Sequence, residues 1–246
     1  MLHLVTNDNR ALYGPELDDL HRARKAVFVD ELGWRLRVRD GMEFDEYDDE
    51  RAMHIIGFGA NRDVVMGIRV RPADDRSMLG DHFTGFLKPG GRPFGDGRTW
   101  EVSRGFCRER GLRRPYFMRK AACMISPLEI ALAAGIDRYI GFTDIRMLSL
   151  YSQFGWKLTM LGEPMPYGEG DGVAYEAEVS QEVISTIRQT WGLPAPAYIK
   201  LDDLDGAANV HDVESALSAA DPKRSQILPP SPAPEPVRRR FSPVTS

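Results

Sequence analysis

Met53-His54-Ile55-Ile56-Gly57-Phe58-Gly59 runs into Ala60-Asn61-Arg62-Asp63 and then Val64-Val65-Met66-Gly67-Ile68-Arg69-Val70. Two apolar, β-branched runs separated by four residues predict strands over 53–59 and 64–70, joined as a hairpin. Upstream, residues 1–6 read as a short strand. Residues 15–32 read as a helix with Leu17, Leu20, Val27 and Phe28 on one face and Gly33 as its stop. Downstream, residues 72–97 are rich in Gly, Pro and Asp and predict a long loop with little regular structure. Residues 99–107 alternate like a strand. Residues 116–134 read as helical up to Gly135. Pro127 interrupts them, with Ser126 and Glu129 at capping-box spacing, which predicts a kink or two abutting helices. A strand over 137–143, a helix over 145–154 closed by Gly155, and strands over 156–161 and 173–179 follow. Ser180 caps a last helix to Trp191, with Gly192 and Pro194 behind it. Strands alternate with helices, yet hairpins are present, and this argues for an α/β fold with a mixed sheet flanked by helices.

The chain has 246 residues, 42% of them hydrophobic, enough for one sizeable α/β domain. A formal net charge of −4 argues against a nucleic-acid binder. No run of about 20 apolar residues occurs, so no membrane span is expected. The N-terminus turns polar after Val5, and no signal peptide is read there. Cys107 and Cys123 have no partners at metal or disulfide-framework spacing, and the five histidines form no cluster. Reduced thiols and a cytoplasmic location are the expectation. The composition changes after about residue 195. Residues 222–246 hold seven prolines and read as a disordered tail in which Arg238-Arg239-Arg240 is a solvated charge run. The expected division is a domain over 1–198 and an extension over 199–246.

Four placements point to chemistry. Arg24 lies four residues after Leu20 and four before Phe28, on the helix face that should be apolar. It either snorkels or faces an anion in a pocket. Six of the eight residues 43–50 are acidic, which suits a solvated loop or a pocket for a cationic small molecule. In Trp100-Glu101-Val102-Ser103-Arg104-Gly105-Phe106, a regular strand puts Glu101 and Ser103 on one face and Arg104 on the other. Charges on both faces of a central strand are costly unless partnered; ion pairing satisfies them, and a bulge turns both toward one cleft. Finally, Arg104 to Lys120 carries seven basic residues against one acid, Glu109, a local patch for an acidic or phosphate-bearing partner or a solvated helix start. The chain has no G-x-S-x-G elbow, no P-loop and no H-E-x-x-H.

Together these segments resemble the acyl-homoserine-lactone (autoinducer) synthase family. The resemblance covers residues 1 to about 195. It rests on Arg24-x-x-x-Phe28, Leu32-Gly33-Trp34, Glu43-Phe44-Asp45-x-Tyr47-Asp48, Gly67-Ile68-Arg69-Val70-Arg71-Pro72, Met78-Leu79 with Phe83, and Trp100-Glu101-Val102-Ser103-Arg104. It implies a GNAT-like α-β-α sandwich around a mixed sheet. Leu150-Tyr151-Ser152-Gln153-Phe154-Gly155-Trp156 is similar to the tyrosine helix and turn of that fold. By the same resemblance, Glu101, Arg104 and Asp48 are catalytic, and Arg24, Phe28, Trp34, Asp45, Arg69, Phe83, Ser103 and Thr143 line the substrate sites. Arg69 is taken rather than Arg71 because it lies three before Pro72.

The implied reaction has two steps. The amine of S-adenosylmethionine attacks an acyl thioester, and the methionine carboxylate then closes a lactone, expelling methylthioadenosine. Glu101 is the expected base, directly or through a water, with a pKa raised by burial. Asp45 and Asp48 face the cationic substrate, and Arg24, Arg69 or Arg104 hold its carboxylate or pair with those acids. Phe28 and Trp34 pack on it. Neither a metal nor a further cofactor is expected. The implied donor is acyl-carrier protein, met by Arg108, Arg110, Arg113, Arg114, Arg119 and Lys120, with coenzyme A as the other thioester those arginines suit. Two other readings stand beside this one. A GNAT N-acyltransferase acting on another amine predicts a glycine-rich pyrophosphate turn, but residues 108–115 hold one glycine. A non-catalytic ligand-binding module predicts loss of the acids, yet Asp45, Asp48 and Glu101 are present.

Overall fold

A computed structural model describes residues 2–90, 94–109, 111 and 113–201. The elements in chain order are β1 (Leu2–Val5), α1 (Gly14–Arg24), β2 (Val38–Arg39), β3 (Met42–Glu43), β4 (Met53–Phe58), β5 (Val64–Pro72), α2 (Met78–His82), β6 (Thr99–Cys107), α3 (Arg114–Ala133), β7 (Arg138–Asp144), α4 (Ile145–Gln153), β8 (Leu158–Met160), β9 (Met165–Tyr167), β10 (Gly170–Glu178), α5 (Gln181–Trp191) and β11 (Ile199–Lys200). The main sheet orders its strands β11-β1-β4-β5-β6-β7-β10-β8, with β9 on β10. Pairing is antiparallel except at β1/β11 and β6/β7, which are parallel. The mixed sheet between helices expected from the hairpin is therefore present.

Alternation along the strands separates two faces. Ile68, Val70, Val102, Tyr139 and Tyr175 pack with α3 and α5 into one core cluster. Arg69, Arg71, Glu101 and Ser103 alternate with them and so project to the opposite face, where α1 lies against β5. Gly67 permits that approach, because a Cβ there would stand 2.7 Å from Leu20 and 2.5 Å from the Phe106 ring.

Several local expectations differ in instructive ways. The α1 helix does not run unchanged to residue 32. It passes at Lys25 into a π-helical segment, Lys25–Glu31, closed by Leu32 N–H donating to Val27 O at 3.0 Å. Residues 72–97 contain α2 and a 3-10 turn at Thr84–Phe86 where a plain loop was expected. Five residues are too few to show a period, and the groups that cap α2 come partly from β6. In place of two abutting helices, α3 is one helix through Pro127. Ser126 does not cap, but bonds back to Ala122 O at 2.7 Å, while Glu129 accepts from Arg188 and from Ala197 N–H. The short strand β11 was not expected. The tail calls, including Arg238-Arg239-Arg240, and Arg110 lie outside the described residues.

Candidate active site

Three acids of the acidic stretch stand on a tight turn. Glu43 ends β3, and Asp45 Oδ1 accepts from Tyr47 N–H and Asp48 Oδ2 from Asp45 N–H, both at 2.9 Å. These bonds gather carboxylates 43, 45 and 48 on one side of the turn. Arg24 reaches them from α1, Arg69 from β5 and Arg104 from β6.

Arg104 reaches them only because β6 bulges. The β5/β6 register passes from Arg69↔Ser103 to Gly67↔Phe106, so one residue of β5, Ile68, faces two of β6, Arg104 and Gly105. Arg104 takes φ +52°, a left-handed backbone that costs a non-glycine residue about 1–2 kcal/mol. The extra residue puts Ser103 and Arg104 on the same side of the sheet, where a regular strand would separate them.

The six charged groups close into an alternating ring. Glu43 accepts from Arg24 Nε at 2.6 Å and from Arg104 Nη2 at 3.1 Å. Asp48 accepts from Arg24 at 2.6 and 2.9 Å and pairs with Arg69 Nη1 at 2.9 Å. Asp45 accepts from Arg69 Nη2 at 3.1 Å and from Arg104 Nη2 at 2.7 Å. Arg69 Nε donates to Ser103 Oγ at 3.0 Å. Three positive charges balance three negative ones. His54, the cross-strand neighbour of Arg69, adds no fourth positive charge, since burial pushes its pKa well down. Burial pushes the Asp45 and Asp48 carboxyls up, but Arg69 with Arg104 or Arg24 outweighs it and holds both below the usual carboxylate range. The side chains of Arg24, Glu43, Asp48 and Arg69 are at most 5% exposed, against 13% for Asp45 and 7% for Arg104. Solvent meets the ring chiefly at those last two.

Glu101 stands beside the ring on the same face, and α2 seats on it. Its Oε2 accepts from Met78 N–H and its Oε1 from Leu79 N–H, each at 2.7 Å. Ser77 Oγ takes the third N–H of α2, that of Gly80, at 2.9 Å. Burial raises the Glu101 pKa, and the two amide donors offset only part of that rise. Met78 Sδ accepts from Arg104 Nη1 at 3.5 Å, and Asp81 of α2 accepts from Tyr47 O–H at 2.8 Å, tying α2 to the acid turn.

The strands part at this point. β6 and β7 pair only at Thr99↔Arg138, Trp100↔Tyr139 and Glu101↔Ile140, yet run on to Cys107 and Asp144. Beyond Glu101 the facing backbone edges form an open fork.

The predicted residues thus fall into groups. Arg24, Asp45, Asp48, Arg69, Ser103 and Arg104 are together, with Glu101 adjoining. Phe28 lies under Arg104, 5.9 Å from its guanidinium carbon, and Trp34, 42% exposed, stacks on Phe28 at 5.1 Å. Phe83 stacks on Phe142 at 4.0 Å, in an aromatic cluster with Phe86 on the α2 side. Thr143 follows Phe142 in β7, so it projects to the opposite face, where it meets Tyr151 of α4. Among the basic residues, Arg108, Arg113 and Arg114 are exposed, whereas Arg119 is engaged by Glu109 and Phe58 O, and Lys120 packs over Phe154. Sequence reasoning missed Glu43 as a member of the ring, although it stands in the acidic stretch. It also missed Tyr47, Asp81 and the amides of Met78 and Leu79.

A family model described as autoinducer synthase matches residues 8–187. The chain belongs to the autoinducer synthase family. Autoinducer synthases are acyltransferases, and this chain is one. It is 31% identical over 171 residues to an acyl-homoserine-lactone synthase of Rhizobium etli, covering 68% of this chain and 79% of that protein. An isovaleryl-homoserine lactone synthase of Bradyrhizobium diazoefficiens is 29% identical over 197 residues, 79% and 87% of the two chains. The fold is similar to that of BjaI, a CoA-dependent acyl-homoserine lactone synthase solved with SAM and isopentyl-CoA. The TM-score is 0.73 at 27% identity, over 88% of this chain and 99% of that one. The GNAT-like sandwich expected of the family is the one observed. Among the described residues, no helix is long and apolar enough to cross a membrane.

Proposed function

We propose that this autoinducer synthase makes an N-acyl-homoserine lactone from S-adenosylmethionine and an acyl thioester, releasing methylthioadenosine. The observation that carries the reading is the buried ring of three arginines and three carboxylates, open at Asp45 and Arg104, beside Glu101 at the head of the fork. S-adenosylmethionine bears an ammonium, a sulfonium and a carboxylate. Asp45 attracts the cationic end, Arg104 the carboxylate, and the Phe28–Trp34 stack offers aromatic faces to the sulfonium. Arg24, Asp48, Arg69 and Ser103 hold those two groups in place.

In the first step the neutral amine attacks the thioester carbonyl. Glu101 takes the proton, directly or through a water, and the thiolate leaves. A carboxyl raised by burial is the better base for an amine whose own pKa, about 8 when free, is lowered by the nearby sulfonium. Backbone N–H groups on the fork edge of β6 stabilise the oxyanion. In the second step the carboxylate oxygen attacks the γ-carbon and expels neutral methylthioadenosine, with no proton to move. A sulfonium is already a good leaving group, so the site only has to fold the substrate. Hence no metal or further cofactor enters the proposal.

The likeness to CoA-dependent synthases supports coenzyme A as the donor's handle. A carrier-protein donor is the second reading, favoured by the exposed Arg108, Arg113 and Arg114 on a net-acidic chain. The test is mass spectrometry of the products from purified protein, S-adenosylmethionine and a panel of acyl-CoA and acyl-carrier-protein thioesters. Equal amounts of methylthioadenosine and an acyl-homoserine lactone are expected. Acyl transfer without methylthioadenosine would replace the reading with a plain N-acyltransferase, and no product from any donor would leave a ligand-binding module.

A further inference from the structure

We infer that Tyr47 and Asp81 are positioning residues for the base: their hydrogen bond holds α2 on Glu101 and joins that seat to Asp45 of the charged ring. The inference rests on the proposed reaction and adds two residues to it. Neither touches a substrate in that reading; both act through α2.

α2 spans five residues, Met78–His82. A helix of that length has no stability of its own, so its place depends on what the rest of the fold offers it. Ser77 Oγ caps Gly80 N–H, Glu101 takes the N–H groups of Met78 and Leu79, and Leu79 packs with Ala73, Ile140 and Ala174. All of these act on the first three residues of the helix. At its far end, Asp81 Oδ2 accepts from Tyr47 O–H at 2.8 Å, with Arg76 Nε 3.6 Å from the same oxygen. His82 meets Glu46 at 3.4 Å with both side chains exposed, so that contact contributes little. Without the Tyr47 bond the helix is free to pivot about Leu79, which draws its amides off Glu101.

Tyr47 is built for this task. It is 1% exposed, and two guanidiniums stand over its ring, Arg76 at 4.7 Å and Arg69 at 5.8 Å from the centroid. Burial and the bond to Asp81 raise the pKa of its hydroxyl, which therefore stays a donor across the working pH range. At its other end, Tyr47 N–H donates to Asp45 Oδ1 at 2.9 Å. One residue thus reaches both halves of the site. Its backbone sets the acid proposed to meet the cationic end of the substrate, and its hydroxyl sets the helix whose amides hold the proposed base. Such joint placement matters because a misplacement of about 1 Å can cost on the order of a hundredfold in rate.

Tyr47→Phe keeps the ring and the backbone bond to Asp45 and removes only the hydroxyl. Asp81→Ala, at an exposed side chain, breaks the same bond from the other side. The full chain is assayed for methylthioadenosine release with S-adenosylmethionine and the acyl thioester it turns over fastest, and melting curves check that each variant is folded. Each variant is expected to lose about tenfold or more in kcat, with KM for S-adenosylmethionine kept within about twofold. The double variant should be no slower than the slower single one, because the same bond is lost in all three. The acid limb of kcat/KM should move down toward the ordinary glutamate range. Burial raises Glu101 more than the α2 amides lower it, and both go when the seat loosens, while Arg69 and Arg71 of β5 still lower it and Tyr175 of β10 stays neutral beside it. Asp81→Asn keeps an acceptor for Tyr47 and should recover most of the kcat and the limb. A kcat and an acid limb unaltered in both Tyr47→Phe and Asp81→Ala overturn the inference, as does a loss confined to KM, and the proposed reaction stands in either case. No methylthioadenosine from the unaltered chain with any donor overturns both.

Discussion

Arg24 clasps Asp48 with both terminal guanidinium nitrogens, at 2.6 and 2.9 Å, with each side chain nearly sealed from solvent. Asp48 also holds Arg69, so one carboxylate serves two buried arginines. Asp48→Asn keeps the shape and removes the charge, leaving two guanidiniums short of a counter-charge. Breaking such a pair costs about 3–5 kcal/mol, far more than its intact presence contributes. Urea unfolding should show a loss on that scale, and a loss under about 1 kcal/mol would mean the ring is not a closed unit.

Acid should weaken the fold through the same carboxylates. Asp45 and Asp48 have folded-state pKa values below their unfolded value of 3.8, so their contribution is complete above that value and disappears as pH falls beneath it. Melting temperature should therefore change little from neutral pH to about 5 and drop steeply below about 4. The drop should be shallower in Asp45→Asn. An identical acid slope in that variant would assign the loss to other groups.

Glu101 carries the opposite sign. Burial raises its pKa, so it is protonated, and unable to act as a base, at pH values where an ordinary glutamate is already ionised. The acid limb of kcat/KM is expected to lie above 4.5 and to vanish in Glu101→Gln. In that variant kcat should fall by about 10²–10⁴, the usual worth of a positioned base, with KM for S-adenosylmethionine nearly kept. A rise in KM with kcat retained would show that Glu101 serves only as the seat of α2.

Arg104 is the arginine of the ring that solvent reaches most, and its fork is shared among Glu43, Asp45 and Met78 Sδ. Arg104→Lys keeps the charge but not the planar, multidentate reach. KM for S-adenosylmethionine should rise about tenfold or more while KM for the acyl donor stays within about twofold. Equal effects on both substrates would remove Arg104 from the carboxylate-binding role.

The exposed arginines 113 and 114 make a separate prediction about the donor's handle. Reversing both to glutamate should raise donor KM and make rates less sensitive to salt, since screening acts most on exposed charges. The S-adenosylmethionine KM should not move. No change in donor KM would place the handle on another surface.

Much of the framework was legible because it depends on local rules. The 53–70 hairpin, the Ser180 cap and the left-handed Gly155 and Gly192 stops are set by residues within a few positions of each other. The Glu101/Arg104 conflict of faces was legible too, because strand alternation makes two charges on opposite sides costly unless each is partnered or a bulge turns both to one side. The α2 helix was not legible, since two of its three capped N–H groups are satisfied by Glu101, 22 and 23 residues away. Nor was the part of Glu43, which is one acid among six until the fold brings Arg24 and Arg104 to it.

What the sequence by itself determined was the mixed sheet, the family and the residue types at the site, because periodicity, caps and motif spacing are properties of neighbouring residues. Tertiary structure alone decided that carboxylates 43, 45 and 48 and arginines 24, 69 and 104 close into one neutral ring, and that β6 and β7 part beyond Glu101. Charge balance and packing are sums over groups far apart in the chain, and folding sets the distances on which those sums depend.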